Sequence, residues 1–130
     1  ACRGFDREVS LGKSRIDYRL RMPDSPLWVE TKSVTLVEGG VALFPDAPTA
    51  RGSRHVRSLA EAVREGERSA IAFIVQRSDA RSFAPYDAAD RVFGDALRSA
   101  AEAGVDLYAW TCRVSKEAIT IARQIPVDLL

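Results

Sequence analysis

The sequence predicts an α/β or α+β domain in which helices pack on a mixed β-sheet. Three observations support this fold class. Residues 14–44 show strand-like alternation of apolar and polar side chains, a helical period of 3.6 begins near residue 48, and apolar runs then alternate with helical segments. The 130 residues are 46% hydrophobic and 28% charged, which is typical of one soluble domain with its own core. We therefore expect a single domain over residues 1–130.

The first predicted elements are three strands. Residues 14–21 alternate in side-chain class, and residues 22–26 contain two prolines with Asp and Ser, which is typical of a turn. Residues 27–36 form the predicted returning strand. The Glu-Gly-Gly turn at 38–40 leads into a short third strand over 41–44. We expect these three strands to form an antiparallel meander.

The period then changes to that of a helix. Val56, Leu59, Ala60 and Val63 recur at i, i+3, i+4 and i+7, which predicts an amphipathic helix beginning near Pro48. The elements predicted after it are a buried strand over 71–76, a helix over 87–103 that ends at Gly104, a strand over 107–114 and an edge segment over 118–121.

Composition excludes several classes of site. A single histidine, His55, excludes sites that need two, such as the H-E-x-x-H zinc motif. Cys2 and Cys112 form neither a C-x-x-C motif nor a disulfide framework, which fits a reducing compartment. The formal charge of +1 does not by itself indicate a nucleic-acid or membrane partner. After these exclusions, the carboxylates of Asp and Glu are the plentiful side chains that could serve in catalysis.

The sequence also shows none of the patterns that are typical of targeting signals. The chain shows no signal-peptide layout and no apolar run near the ~18 residues of a transmembrane helix. We therefore expect a cytoplasmic protein with no membrane partner. Because the first residue is Ala1 rather than Met, we also expect a processed chain or a piece of a longer one.

Acidic residues and one lysine form a candidate site on the first two predicted strands. Glu30 and Lys32 share one face of a strand, because residues at i and i+2 point the same way. If the chain returns antiparallel, Asp17 lies near Glu30, and Glu8 precedes all three. Two carboxylates beside a lysine predict a Mg²⁺ or Mn²⁺ site that could cut a phosphodiester without a histidine. The competing interpretation is a set of ordinary solvated charges, which such short motifs more often are.

Two long segments resemble the sugar fermentation stimulation protein A family. They are REVSLGKSRIDYRL over 7–20 and WVETKSVTLVEGGVALFPDAPTARGSRHVRSL over 28–59, and their most specific runs are E-x-K-S-V-T-L, F-P-D-A and R-G-x-x-H. The resemblance extends over essentially all 130 residues but concerns the C-terminal part of a family member. The family's N-terminal OB-like domain is expected to be absent from this chain.

This resemblance implies a restriction-endonuclease-like (PD-D/E-x-K) fold and a protein that binds DNA and regulates sugar metabolism. Asp17, Glu30 and Lys32 match the core motif of that fold, and Glu8 matches an acidic residue that a preceding helix usually supplies. Because Gly12 follows Glu8 so closely, that helix is expected to end within a turn.

The sequence and the resemblance therefore predict two alternative functions from different classes. The first is a nuclease that uses Mg²⁺ or Mn²⁺ and acts on DNA or RNA: Asp17 and Glu30 hold the metal, Glu8 supports it, and Lys32 positions the attacking water. The second is a non-catalytic DNA-binding regulator of sugar metabolism genes that uses the same fold as a scaffold.

A basic group is the candidate nucleic-acid contact. Arg51, Arg54 and His55 lie at the start of the first predicted helix, where a phosphate would be favoured. A packing role is the alternative for His55, and the R-G-x-x-H match favours the phosphate role without assigning it.

Five other residues have two interpretations each. Gln76 is either a polar strand end or a group that orients a metal-bound water. Asp46 is either a helix cap or a site residue. Trp28, Tyr108 and Trp110 could stack on bases, but their place in alternating strands favours the core.

Overall fold

The computed structural model describes residues 2–130, and over that range it contains nine strands and two helices. In chain order these are β1 (Phe5–Leu11), β2 (Ser14–Leu20), β3 (Leu27–Val34), β4 (Leu36–Glu38), β5 (Val41–Phe44), α1 (Ala50–Arg64), β6 (Arg68–Val75), β7 (Ser82–Pro85), α2 (Arg91–Ala103), β8 (Asp106–Val114) and β9 (Ile119–Ile125).

The main sheet has six strands in the order β1-β2-β3-β6-β8-β9. Its centre is parallel, because β6 pairs in parallel with both β3 and β8. Each flank is antiparallel, with β1 and β2 on one side and β9 on the other. The predicted mixed sheet with helices is therefore confirmed.

The predicted meander of three strands is wrong beyond its first turn. β2 and β3 pair antiparallel as expected, but residues 27–36 break into β3 and the start of β4. β5 then pairs with β4 and β7 in a separate sheet of three strands. The reason is that β2 and β6 already occupy both sides of β3. The turn at Gly39 and Gly40, both with positive φ, instead folds β5 back onto β4.

Both helices begin later than predicted. Thr49, rather than Asp46, caps α1 and accepts a hydrogen bond from the Gly52 N–H at 3.0 Å. Asp90 caps α2, and Gly104 ends it in the left-handed conformation at φ 111°, as predicted. Backbone N–H groups of Thr49 and Phe93 donate to Asp90 and hold the pKa of that carboxyl below its usual value.

The core lies between the main sheet and the two helices. Phe73, Phe83 and Phe93 are fully buried, and the first two rings stack with centroids 4.1 Å apart. Burying one such side chain contributes about 2 kcal/mol. Trp28 is in this core as expected, whereas the prediction for Tyr108 is wrong because its side chain is exposed. Its strand, β8, presents that position to the sheet face opposite the core.

The expectation that a helix supplies Glu8 is also wrong. Residues 5–11 form strand β1, and Glu8 lies in its middle with a φ of 49°. Because β1 pairs with β2 on both sides of Glu8, that residue is held by a strand hairpin rather than by a helix end.

Two remaining predictions concern membrane spans and cysteines. Between residues 2 and 130, neither helix is long and apolar enough to cross a membrane. Cys2 is exposed, Cys112 is buried, and both are free thiols. Burial raises the pKa of the Cys112 thiol above its usual value.

Candidate metal and nucleic-acid site

Three acidic residues lie in one row across strands β1, β2 and β3. Val9 pairs with Ile16 in the β1–β2 register, so the next position places Glu8 opposite Asp17. The β2–β3 register places Asp17 opposite Glu30 in the same way, one step beyond its last regular pair. Glu8, Asp17 and Glu30, which are nine and 13 positions apart in sequence, therefore share one level of the sheet.

Side chains replace the regular ladder where Asp17 meets Glu30. The Asp17 N–H donates to Glu30 Oε1 at 3.1 Å. In return, the Thr31 N–H and hydroxyl donate to Asp17 Oδ2 at 2.8 and 2.9 Å. These bonds fix both carboxylates without the usual strand-to-strand amide bonds, and the predicted proximity of Asp17 and Glu30 is observed.

Glu30 is a buried carboxylate with a full set of donors. Its residue is only 2% exposed, and Oε2 accepts from Lys32 Nζ at 2.9 Å and contacts His55 Nδ1. An ionised carboxylate can only accept, so a hydrogen bond from His55 to an ionised Glu30 requires the proton to be on Nδ1. A buried charge needs such partners to offset its lost hydration.

Lys32 lies beside Glu30 on one face of β3, as the i, i+2 spacing predicts. Its side chain is 14% exposed, whereas the neighbouring Thr31 on the other face is exposed. The ammonium is therefore held at the boundary between the buried carboxylate and solvent.

Glu8 and Asp17 are the two members of the acidic row that line a cavity open to solvent. With Arg7 and Tyr18 they line a cavity of about 250 Å³. Within residues 2–130, no three His, Cys, Asp or Glu side chains lie close enough to enclose a metal ion by themselves. A pair of carboxylates completed by water is nevertheless a common way to bind Mg²⁺, and the oxygen donors of Glu8 and Asp17 fit a hard cation of that kind.

A second cavity, the basic cavity, lies beside this row. It measures about 510 Å³ and is lined by basic and small residues from the β1–β2 hairpin and the start of α1. The lining residues are Ser10, Gly12, Lys13, Ser14, Arg15, Arg51, Arg54 and His55. The three residues predicted at a phosphate are thus brought to one cavity, although the His55 residue is buried and its Nδ1 faces Glu30.

Sequence reasoning missed Lys13 and Arg15 as members of this basic group. The available signal was that Lys13 follows the Gly12 turn and Arg15 lies at the start of the strand that carries Asp17. Gln76 lies elsewhere, since its N–H donates to the Val34 carbonyl at 2.8 Å and its side chain lines a separate cavity with Cys112.

Comparison with known proteins identifies the family of this chain. Residues 1–118 match the family model described as "Sugar fermentation stimulation protein RE domain". The chain belongs to the sugar fermentation stimulation protein family. A sugar fermentation stimulation protein homolog of Desulforamulus reducens is 50% identical over 123 residues, which are 95% of this chain and 52% of that protein. A homolog of Geobacter sulfurreducens is 49% identical over 128 residues, covering 95% and 55%.

A solved structure of the family shares the fold. The structure of Pyrococcus furiosus SfsA in complex with Ca²⁺ superposes with a TM-score of 0.93 at 35% sequence identity. The match covers 98% of this chain and 55% of the Pyrococcus chain. The present chain therefore spans about half the length of the family members that it matches.

Proposed function

We propose that this domain is a restriction-endonuclease-like enzyme that hydrolyses phosphodiester bonds in DNA with the help of a divalent cation. The observation that carries the proposal is the fixed arrangement of Asp17, Glu30 and Lys32 at one edge of the main sheet. Metal-assisted hydrolysis requires carboxylates that can hold a cation, and a nearby ammonium such as the largely buried one of Lys32 can assist it.

The metal in this proposal is Mg²⁺ or Mn²⁺. Asp17 and Glu8 would hold it from the open cavity, with water completing its coordination shell. Glu30, predicted as a third ligand, would support the site instead, because its Oε1 accepts from the Asp17 N–H and its Oε2 from Lys32. When bound, such a cation supplies an acidified water and neutralises charge on the phosphate. The Ca²⁺ complex of the Pyrococcus relative supports this assignment, because Ca²⁺ and Mg²⁺ both take oxygen ligands.

Each protein group has a separate role in the proposed reaction. Thr31 holds Asp17 through two hydrogen bonds and thereby orients the free carboxylate oxygen. Glu30 fixes the Lys32 ammonium, whose two remaining donors can orient the attacking water and stabilise negative charge that develops on the phosphate. Arg51 and Arg54 would contact the nucleic-acid backbone from the neighbouring cavity.

The second candidate function is a DNA-binding regulator of sugar metabolism genes that does not cleave. The observation that favours it is the basic cavity, which needs no metal to attract a phosphate. The acidic row argues against this alternative, because carboxylates that face a polyanion oppose binding unless a cation neutralises them.

A cleavage assay separates the two functions. The purified chain is incubated with single- and double-stranded DNA and RNA in Mg²⁺ or Mn²⁺, and Asp17→Asn and Lys32→Ala are compared with wild type. We expect each substitution to lower the rate about 100-fold or more, because each removes a group used in the transition state. Asp24→Asn and Lys116→Ala change exposed residues in turns and are the matched controls. Equal activity in all five proteins would overturn the nuclease proposal.

A further inference from the structure

Four cations gather at the basic cavity without carboxylate partners. Lys13 and Arg15 come from the β1–β2 hairpin, and Arg51 and Arg54 come from the first turns of α1. All four residues are exposed, and no carboxylate lines the cavity. Within residues 2–130, none of the four makes an ion pair; Arg15 donates only to the Glu8 carbonyl, at 3.4 Å.

Several other arginines of this nearly neutral chain are paired. Arg21 binds Asp6 at 2.8 Å, and Arg98 binds Asp87 at 2.6 Å. The same holds for Arg64, Arg77 and Arg91, each of which has a carboxylate nearby in sequence. Mutual repulsion of four unpaired cations is unfavourable unless an anion joins them. The positive N-terminus of α1 adds to the attraction for such an anion.

The basic cavity is linked to the acidic row at two points. Arg15 lies two residues before Asp17 on β2, which corresponds to about 6.6 Å along a strand. His55 lines the basic cavity, and its Nδ1 contacts Glu30. A strand of nucleic acid rises about 3.4 Å per nucleotide in a duplex, so the two sites are one to two nucleotides apart.

We infer that the basic cavity binds a backbone phosphate of the nucleic acid one to two nucleotides from the one that would be cleaved. Lys13, Arg15, Arg51 and Arg54 hold this phosphate by charge and hydrogen bonds, and the small residues Ser10 and Gly12 leave room for it. The inference rests on the proposed function for its substrate class. The cavity therefore sets how the strand lies across the row of carboxylates, and it does not take part in bond cleavage.

Binding without cleavage tests this inference independently of catalysis. Affinity for a labelled DNA duplex is measured by fluorescence anisotropy in EDTA over a series of KCl concentrations. The doubly substituted chain Lys13→Ala, Arg51→Ala is compared with wild type. We expect the slope of log Kd against log [KCl] to fall by up to about 0.9, because the cavity neutralises one phosphate and each neutralised phosphate accounts for about 0.9.

The matched control is the double variant Arg113→Ala, Lys116→Ala, which removes the same charge from exposed residues at the β8–β9 end of the sheet. Its slope is expected to match wild type. An equal fall in both variants, no fall in the cavity variant, or no DNA binding by the wild-type chain would each overturn the inference. Circular dichroism of all three proteins verifies that they are folded.

A competition experiment distinguishes binding of a backbone phosphate from binding of free phosphate. Inorganic phosphate is titrated into the duplex complex at constant ionic strength. Weak competition supports a site built for the polyanion. Displacement at micromolar phosphate would show a free-phosphate site and overturn the assignment. Absence of cleavage with Mg²⁺ would remove the proposed enzyme activity while leaving these binding results unchanged.

Discussion

At one edge of the main sheet β1 pairs antiparallel with β2, which pairs antiparallel with β3, and at the other edge β9 pairs antiparallel with β8. The two edges differ in what joins their strands. Side-chain carboxylates interrupt the β2–β3 ladder at Asp17 and Glu30. The β8–β9 ladder continues for most of its length with one irregularity between Thr111 and Cys112.

Their exposed side chains differ as well. The β8–β9 edge presents Val114, Ile119 and Ile121 to solvent, each more than half exposed. The other edge buries Glu30 and gathers charged groups around it. Within residues 2–130, the edge with Glu8, Asp17 and Glu30, here called the carboxylate edge, is therefore the one that carries the groups of the proposed metal site, whereas the β8–β9 edge presents apolar side chains.

The largest expected effect is the loss of Glu30. We expect Glu30→Ala to lower the free energy of unfolding by about 3–5 kcal/mol, because it leaves Lys32 and His55 without their shared acceptor. Urea denaturation measures this change. Glu117→Ala, at an exposed position near the β8–β9 turn, is the control and is expected to cost less than about 0.5 kcal/mol. Similar losses in the two variants would mean that the edges do not differ energetically.

A smaller effect is expected for His55. Removing its donor by His55→Ala should cost about 1–3 kcal/mol, because one hydrogen bond to the buried Glu30 is lost. Asn carries its amide nitrogen at the position of Nδ1, whereas Gln carries it one atom further out. Urea denaturation should therefore show that His55→Asn recovers more stability than His55→Gln. The reverse order would contradict the Nδ1 contact.

The smallest effect compares the same substitution at the two edges. Ile16 on β2 is fully buried and Ile121 on β9 is 60% exposed. We expect Ile16→Val to cost about 1 kcal/mol and Ile121→Val to change the stability by less than about 0.5 kcal/mol. Denaturation at two protein concentrations checks both values. An equal cost at Ile121 would show that another molecule covers the β9 edge in solution.

Much of the fold could be predicted because periodicity reflects burial. The alternation in residues 14–20 and 27–34 identified β2 and β3, and the 3.6 period identified both helices. β1 was missed because Glu8, with positive φ, interrupts a strand whose residues are mostly exposed. The separate sheet of β4, β5 and β7 was missed because strand pairing over long separations is decided by which edges remain free, and sequence pattern does not encode this.

The candidate site could be predicted only in part for a similar reason. Spacing along one strand placed Glu30 and Lys32 together, and the turn after β2 brought Asp17 to them. The contact of His55 with Glu30 spans 25 residues and depends on how α1 packs on the sheet. Neither the charge pattern nor the helical period specifies that packing.

Calorimetric titration of Mn²⁺ into the chain tests most directly whether the carboxylate edge is a metal site. Wild type, Asp17→Asn and the control Asp24→Asn, at an exposed position in the β2–β3 turn, are titrated under the same conditions. The account predicts saturable heat for wild type and Asp24→Asn, and binding at least about tenfold weaker for Asp17→Asn, because a carboxylate ligand is lost. Equal heats in all three proteins, or none in wild type, would contradict it.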